Sequence, residues 1–129
     1  MYTLLSHNDL DGVGCGILAK LAFNERVKVR YNSVISLNQE IELFLDKGQQ
    51  DAFLFITDLS PNEENEKRLN DYYLETKKVQ LIDHHKTALH LNDYEWGHVL
   101  VEEKEGHLTS ATSLFYHYLV THELLEPSD

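Results

Sequence analysis

Basic side chains are scarce in this 129-residue sequence: 11 Lys and Arg stand against 22 Asp and Glu, for a formal net charge of −11. A general nucleic-acid coat, which would carry a basic stripe, is excluded by that balance. Cysteine is almost missing. Cys15 alone cannot form an internal disulfide, which fits a reducing compartment. Proline occurs only at Pro61 and Pro127, and there is no linker, low-complexity segment or internal repeat. No apolar run approaches the length needed to span a bilayer. The start, Met1-Tyr2-Thr3-Leu4-Leu5, lacks the basic flank and longer apolar segment of a signal peptide. The expected location is the cytoplasm, with no membrane association.

What is present suits one domain with its own core: 42% hydrophobic and 26% charged residues. The acidic excess is expected on solvated surface, chiefly at Glu63, Glu64, Glu66, Glu102, Glu103 and Glu105. Strand-like and helix-like stretches alternate. Tyr2 to Ser6 reads as a strand, and Asp11 can cap a helix to about Phe23, with Val13, Ile17, Leu18 and Leu21 on one face. Gly12, Gly14 and Gly16 open that helix, at a cost in propensity that makes sense if the backbone must come close to the sheet, a metal or a phosphate.

Val27 to Tyr31 reads as a second strand. Ser36-Leu37-Asn38-Gln39 is a capping-box pattern, with Leu37, Ile41, Phe44 and Leu45 as the buried stripe and Gly48 as the stop. Ala52 to Thr57 is short and rich in aromatic and β-branched residues, as a central strand should be. Ser60-Pro61-Asn62-Glu63 opens a third helix running to about Leu74, which buries Leu69, Tyr72 and Tyr73. Lys78 to Ile82 is a strand, and Val99 to Glu102 another, closed by Lys104-Glu105-Gly106. Thr109 to about Leu124 is the last helix, with Ala111, Leu114, Phe115, Tyr118, Leu119 and His122 at helical spacing. The order β-α-β-α-β-α-β-β-α with short connections predicts an α/β fold, a mostly parallel sheet with helices on both faces.

Three strand-like runs end in metal-ligand residues. Tyr2 to Ser6 leads into His7-Asn8-Asp9-Leu10-Asp11, Ala52 to Thr57 into Asp58, and Lys78 to Ile82 into Asp83-His84-His85. In open α/β sheets, ligands bind at the carboxyl ends of the strands. Alternate residues of an extended H-x-D-x-D segment point the same way, and two carboxylates with an imidazole suit Mn²⁺, Mg²⁺ or Zn²⁺. Alone, that segment is also ordinary loop and N-cap chemistry. Two adjacent histidines after an apolar strand are harder to explain by packing, because each buried imidazole needs its own partner. Together the three strand ends predict a polynuclear metal site. Divalent ions there would invert the local field set by Asp9, Asp11, Asp58 and Asp83.

The set H7-N-D-L-D11-G, I56-T-D58 and I82-D-H-H-K86 resembles the DHH family of phosphoesterases, in order and spacing over most of the chain. Within that family, S6-H-N-D-L-D-G-V-G-C-G16 and L81-I-D-H-H-K-T-A-L-H-L91 are most similar to the nanoRNase B-like oligoribonuclease branch of Bacillus-type bacteria. The resemblance implies an N-terminal α/β domain holding two divalent cations, Mn²⁺ first, with Mg²⁺ or Co²⁺ as substitutes. It implies His7 and Asp9 on one ion, Asp11 and His84 on the second, and Asp58 bridging both. His85 would face the scissile phosphate while Asp83 orients the rings. Physically, two ions can activate a water and steady the charge of the displaced oxygen.

Two departures stand out. His7 precedes Asp9 by two residues, where many family members have a spacing of four. No Asp follows Thr109 until Asp129, so the family's last metal-ligating Asp has no counterpart, and the smaller substrate-gripping domain has none either. The expectation is a catalytic domain over 1–129 that stops short of both.

Around the motifs, Lys86 could contact phosphate, as could Thr109 and Ser110, whose hydroxyls open a helix with free N–H groups. Each also has a plain surface or N-cap reading. His90, His98, His107, His117 and His122 fit no ligand spacing. Cys15 reads as a small buried residue, and Tyr94 and Trp96 as packing. The implied activity is metal-dependent hydrolysis of short oligoribonucleotides to mononucleotides. A 3′-phosphoadenosine-phosphate phosphatase, cyclic-dinucleotide phosphodiesterase or pyrophosphatase shares the ligand set. A metal- or nucleotide-binding module without turnover is the competing class. Substrates would be short RNAs or small phosphorylated nucleotides, and homo-oligomerisation is left open.

Overall fold

A computed structural model describes residues 1–48, 51–102 and 108–127. Five short runs dominated by Leu, Ile, Val and Phe form the strands β1 (Tyr2–His7), β2 (Val27–Asn32), β3 (Phe53–Thr57), β4 (Val79–Asp83) and β5 (Gly97–Val99). They make one sheet in the order β2-β1-β3-β4-β5, and every pairing is parallel. Four helices connect or follow them: α1 (Leu10–Phe23), α2 (Val34–Asp46), α3 (Glu63–Thr76) and α4 (Ala111–Thr121). Short 3₁₀ segments occupy Asn24–Arg26 and Lys86–Asp93.

Alternation along the strands divides the core into two layers. Leu5, Leu54, Ile56 and Leu81 face α2, α3 and the 3₁₀ run, where Leu37, Ile41, Leu69, Leu91 and Trp96 are buried. Their neighbours Leu4, Phe55 and Ile82 face α1 and α4, against Cys15, Ala19, Phe23, Leu114 and Phe115. The sheet is therefore covered on both sides, as its continuous apolar strands require.

Several boundaries differ from expectation, for local reasons. Asp9, not Asp11, caps α1, its carboxylate accepting from the Gly12 N–H at 2.8 Å. Ile17 and Leu21 are exposed, and the buried face of α1 is Gly12, Cys15, Gly16, Ala19 and Phe23. Ser33 caps α2 and Asn62 caps α3, so α2 starts earlier than Ser36 and α3 later than Pro61. The fifth strand is Gly97–Val99, two residues before its predicted start, while Glu102 makes only an isolated antiparallel bridge to Leu108. Helix α4 spans Ala111–Thr121 and leaves His122 exposed, stacked on Tyr118. Glu66 is buried rather than solvated and meets His90 Nε2 at 2.9 Å. Trp96 is fully buried, stacked on Tyr94, and donates to Asn70. Glu103, the Lys104-Glu105-Gly106 turn, His107 and Asp129 lie outside the described residues. Among the described residues no helix is long and apolar enough to cross a membrane.

Candidate metal centre

Parallel pairing places the carboxyl ends of β1, β3 and β4 side by side, in the register Ser6↔Thr57 and Thr57↔Ile82. Each strand hands over its polar residues at that edge, so His7, Asp58, Asp83, His84 and His85 converge although 76 positions separate His7 from Asp83 in sequence. Beneath them, Ser6 Oγ donates to the Gly12 and Thr57 carbonyls and accepts from Thr57 Oγ1 at 2.8 Å. This buried hydroxyl pair ties β1, β3 and α1 together directly under the cluster. Its only sequence signal is two small hydroxyl residues at equivalent strand ends.

Asp58 is the hub. Its side chain is 1% exposed, with Oδ1 3.0 Å from His84 Nε2 and 4.0 Å from His85 Nε2, and Oδ2 3.6 Å from His7 Nδ1. The backbone at Asp58 is left-handed, φ 63°, a conformation Asp and Asn tolerate better than most residues. Its N–H is fixed to the Ile82 carbonyl at 3.0 Å, so strand pairing sets the direction of the carboxylate. His7 Nδ1 also lies 2.9 Å from Asp9 Oδ2.

On the other side, His84 Nε2 is 3.2 Å from Asp11 Oδ2, which puts that ring between Asp11 and Asp58. Asp83 Oδ1 accepts from the His84 backbone N–H at 2.9 Å and meets His85 Nδ1 at 2.7 Å. His85 is about half exposed, its Nε2 directed toward the Asp58 side of the cluster.

The electrostatics follow from crowding. Burial, then a hydrogen bond with Asp9 and the charges of Asp11, Asp9 and Asp83, push the Asp58 carboxyl up to about 8. Asp83 is also raised, by burial, despite the two neighbouring imidazoles and the His84 N–H. Burial pushes Asp9 and Asp11 upward as well, but it is outweighed. Hydrogen bonds with Asp58, the Gly12 N–H and His7 hold Asp9 low, and those from Thr112 and the Ala111 N–H hold Asp11 low. Cys15, buried under α1, has its thiol pushed up to about 12 by burial, which suits packing rather than nucleophilic chemistry.

This donor set fits divalent cations. Among the described residues Asp58 Oδ2 and Asp83 Oδ2 are buried with no hydrogen-bond partner, and His7 Nδ1 faces the Asp9 and Asp58 carboxylates, an arrangement that is costly unless something else binds these atoms. Among the described residues two groups could each hold an ion with ligand atoms within 4.8 Å of one another, His7-Asp9-Asp58 and Asp58-Asp83-His84-His85; Asp58 belongs to both and Asp11 to neither. Hard carboxylate oxygens with imidazole nitrogens match Mn²⁺, Mg²⁺ or Zn²⁺ chemistry.

The phosphate-contact candidates separate. Lys86 is exposed immediately after the triplet. Thr109 is buried, and its hydroxyl donates to the Leu100 and Val101 carbonyls. Ser110 caps α4 through a reciprocal box with Ser113. The first N–H groups of α4 point not into open space but at Asp11, a contact unforeseen in the sequence because 100 residues separate Asp11 from Ala111.

No protein-family model matches the chain. A crystal structure of an uncharacterized protein from Helicobacter pylori G27 shares the fold, with TM-score 0.74 at 20% identity over 95% of this chain and 37% of that one. The chain is 61% identical over 133 aligned residues to the oligoribonuclease NrnB of Bacillus subtilis strain 168, a match that takes in 100% of this chain and 33% of that protein. It thus spans about a third of the length of the curated relative. Along its whole length the chain belongs to the same family as that oligoribonuclease.

Proposed function

We propose that this chain is the metal-binding catalytic domain of a phosphodiesterase that hydrolyses short RNAs to mononucleotides in the cytoplasm, using two divalent cations, Mn²⁺ first among them. The observation that carries the reading is the convergence of His7, Asp9, Asp58, Asp83, His84 and His85 at one sheet edge, with Asp11 joined to it through His84 and two buried carboxylate oxygens lacking hydrogen-bond partners. The relative's name supplies the substrate class. His7 and Asp9 would hold one ion, Asp11 and His84 the other, and Asp58 both, one oxygen facing His7 and the other facing His84. The chemistry such ions supply when bound is activation of a water and neutralisation of phosphate charge.

The chain's own groups do the rest. Asp83 fixes His85 through Nδ1, which leaves Nε2 as the atom directed to the site. Held so, His85 presents Nε2 to donate to a phosphate oxygen as charge builds there. Lys86, one residue on and solvent-exposed, supplies long-range attraction for an anionic substrate to an otherwise acidic chain. Thr109 and Ser110 act by holding α4 rather than by touching phosphate.

Incubation of the chain with Mn²⁺ and a labelled RNA of two to five nucleotides tests the proposal, with Asp58→Ala as control. Mononucleotide release that the substitution reduces at least about 100-fold supports it. Equal release from both proteins, or Mn²⁺ binding without any release, would contradict it, the latter favouring a binding module. Running 3′-phosphoadenosine-phosphate, a cyclic dinucleotide and pyrophosphate beside the RNA separates the activities that share this ligand set.

A further inference from the structure

Among the described residues, Asp11 is the metal-ligand candidate whose carboxylate is gripped by a distant helix. Its Oδ2 accepts from the Ala111 N–H at 2.9 Å while lying 3.2 Å from His84 Nε2. Its Oδ1 accepts from the Thr112 N–H at 2.9 Å and from the Thr112 hydroxyl at 2.7 Å. The same hydroxyl is 2.9 Å from the Asp11 carbonyl, an oxygen of the helical backbone, so its single proton is shared between two acceptors, as at Ser6 and Thr109. The charged carboxylate is the stronger partner.

A second, independent feature accommodates the contact. Gly14 sits one turn along α1, and a Cβ built there would collide with Thr112 Oγ1 and come within 3.1 Å of its Cγ2. The glycine opens the space through which Thr112 reaches Asp11. The chain accepts a helix-weakening residue in α1 at the point where α4 must come close.

We infer that Thr112 is a positioning residue: its hydroxyl, admitted by Gly14, locks the Asp11 carboxylate in the rotamer that faces His84 and so presets the second cation position. This rests on the two-cation reading above. It adds a coupling in which the start of α4, more than 100 residues downstream, governs a ligand in the first motif. Outer-shell partners of this kind are worth about 10–100-fold in metal affinity.

Thr112→Val keeps the shape and the backbone N–H while removing the hydroxyl, and Thr112→Ser keeps the hydroxyl. Calorimetric titration with Mn²⁺ should show one ion unaffected in Thr112→Val and the other weakened at least about tenfold, with Thr112→Ser within about threefold of the parent. In the metal-free protein, the Asp11 carboxyl ¹³C resonance should move in Thr112→Val and stay near its parent position in Thr112→Ser. Thermal unfolding in EDTA establishes that both variants fold. Unchanged affinity for both ions in Thr112→Val, equal loss in Thr112→Ser, or an unmoved Asp11 resonance would each overturn the inference. Absence of Mn²⁺ binding in the parent would overturn the cation reading instead, and the resonance shift would then decide Thr112 by itself.

Discussion

His84 and His85 are sequence neighbours with different surroundings. His84 lies between two carboxylates, 3.0 Å from Asp58 and 3.2 Å from Asp11. His85 is anchored to Asp83 at 2.7 Å and stands farther from Asp58, at 4.0 Å. Replacing His84 with Ala should lower Mn²⁺ affinity at one of two positions by about 10–100-fold. Replacing His85 should leave both affinities within a few-fold and reduce turnover by about 10²–10⁴. Calorimetry and single-turnover hydrolysis measure the two effects separately. Equal losses of metal affinity in both variants would contradict the division of roles. The residue identities of this cluster were legible in the sequence because strand ends and ligand types coincide three times. Thr112 and the Ser6–Thr57 pair were not, since a hydroxyl's partner 51 or 101 residues away leaves no local pattern.

Among the elements, α1 shows most clearly where sequence patterning fails. Hydropathy singles out Ile17 and Leu21, yet these are 57% and 62% exposed, while small residues line the sheet-facing side. A helix that must approach closely enough to bring Asp9 and Asp11 to the strand ends buries Gly, Cys and Ala, not long aliphatics. Gly12 makes the requirement explicit: a Cβ there would collide with the His7 carbonyl oxygen and lie 2.8 Å from the His7 nitrogen. Backbone cannot rotate aside as a side chain can, so α1 would have to lift from β1. Gly12→Ala should therefore destabilise the fold by about 1–3 kcal/mol despite alanine's better helix propensity. It should also weaken Mn²⁺ binding, because the Gly12 N–H restrains Asp9. Urea denaturation and a Mn²⁺ titration check both, and a neutral or stabilising effect would show that the close approach is unnecessary. The other strand and helix identities were readable, with boundaries off by a few residues where Ser33 and Asn62 displaced the expected caps, while Ser110 caps α4 as its N-cap reading had it. The 3₁₀ run Lys86–Asp93 had no sequence signal, since such segments lack a distinct period.

For the molecule as a whole, the cluster stores electrostatic cost. Asp58 titrates near 8 in the folded chain against 3.8 for an unperturbed carboxyl. Between those values the metal-free folded state holds a proton that the unfolded state has released, so folding stability falls as pH rises from about 4 to 8. Asp83, also raised by burial, acts in the same direction. Asp9 and Asp11, held low, stabilise the fold above the ordinary carboxylate range and lose that contribution only as pH drops below it, outside this window. Asp58→Asn, which keeps the shape and tolerates the left-handed backbone, should raise metal-free stability at pH 8 by about 1–3 kcal/mol. Divalent cations compete with the proton on Asp58, so their stabilisation should grow with pH and reach about 2.7 kcal/mol at 100 times the dissociation constant. The most direct test is thermal unfolding from pH 5 to 8, with EDTA and with saturating Mn²⁺. A cation centre built around Asp58 gives a melting temperature that declines with pH in EDTA and is restored by Mn²⁺ most strongly at pH 8. A melting temperature independent of pH in EDTA and unmoved by Mn²⁺ would contradict it.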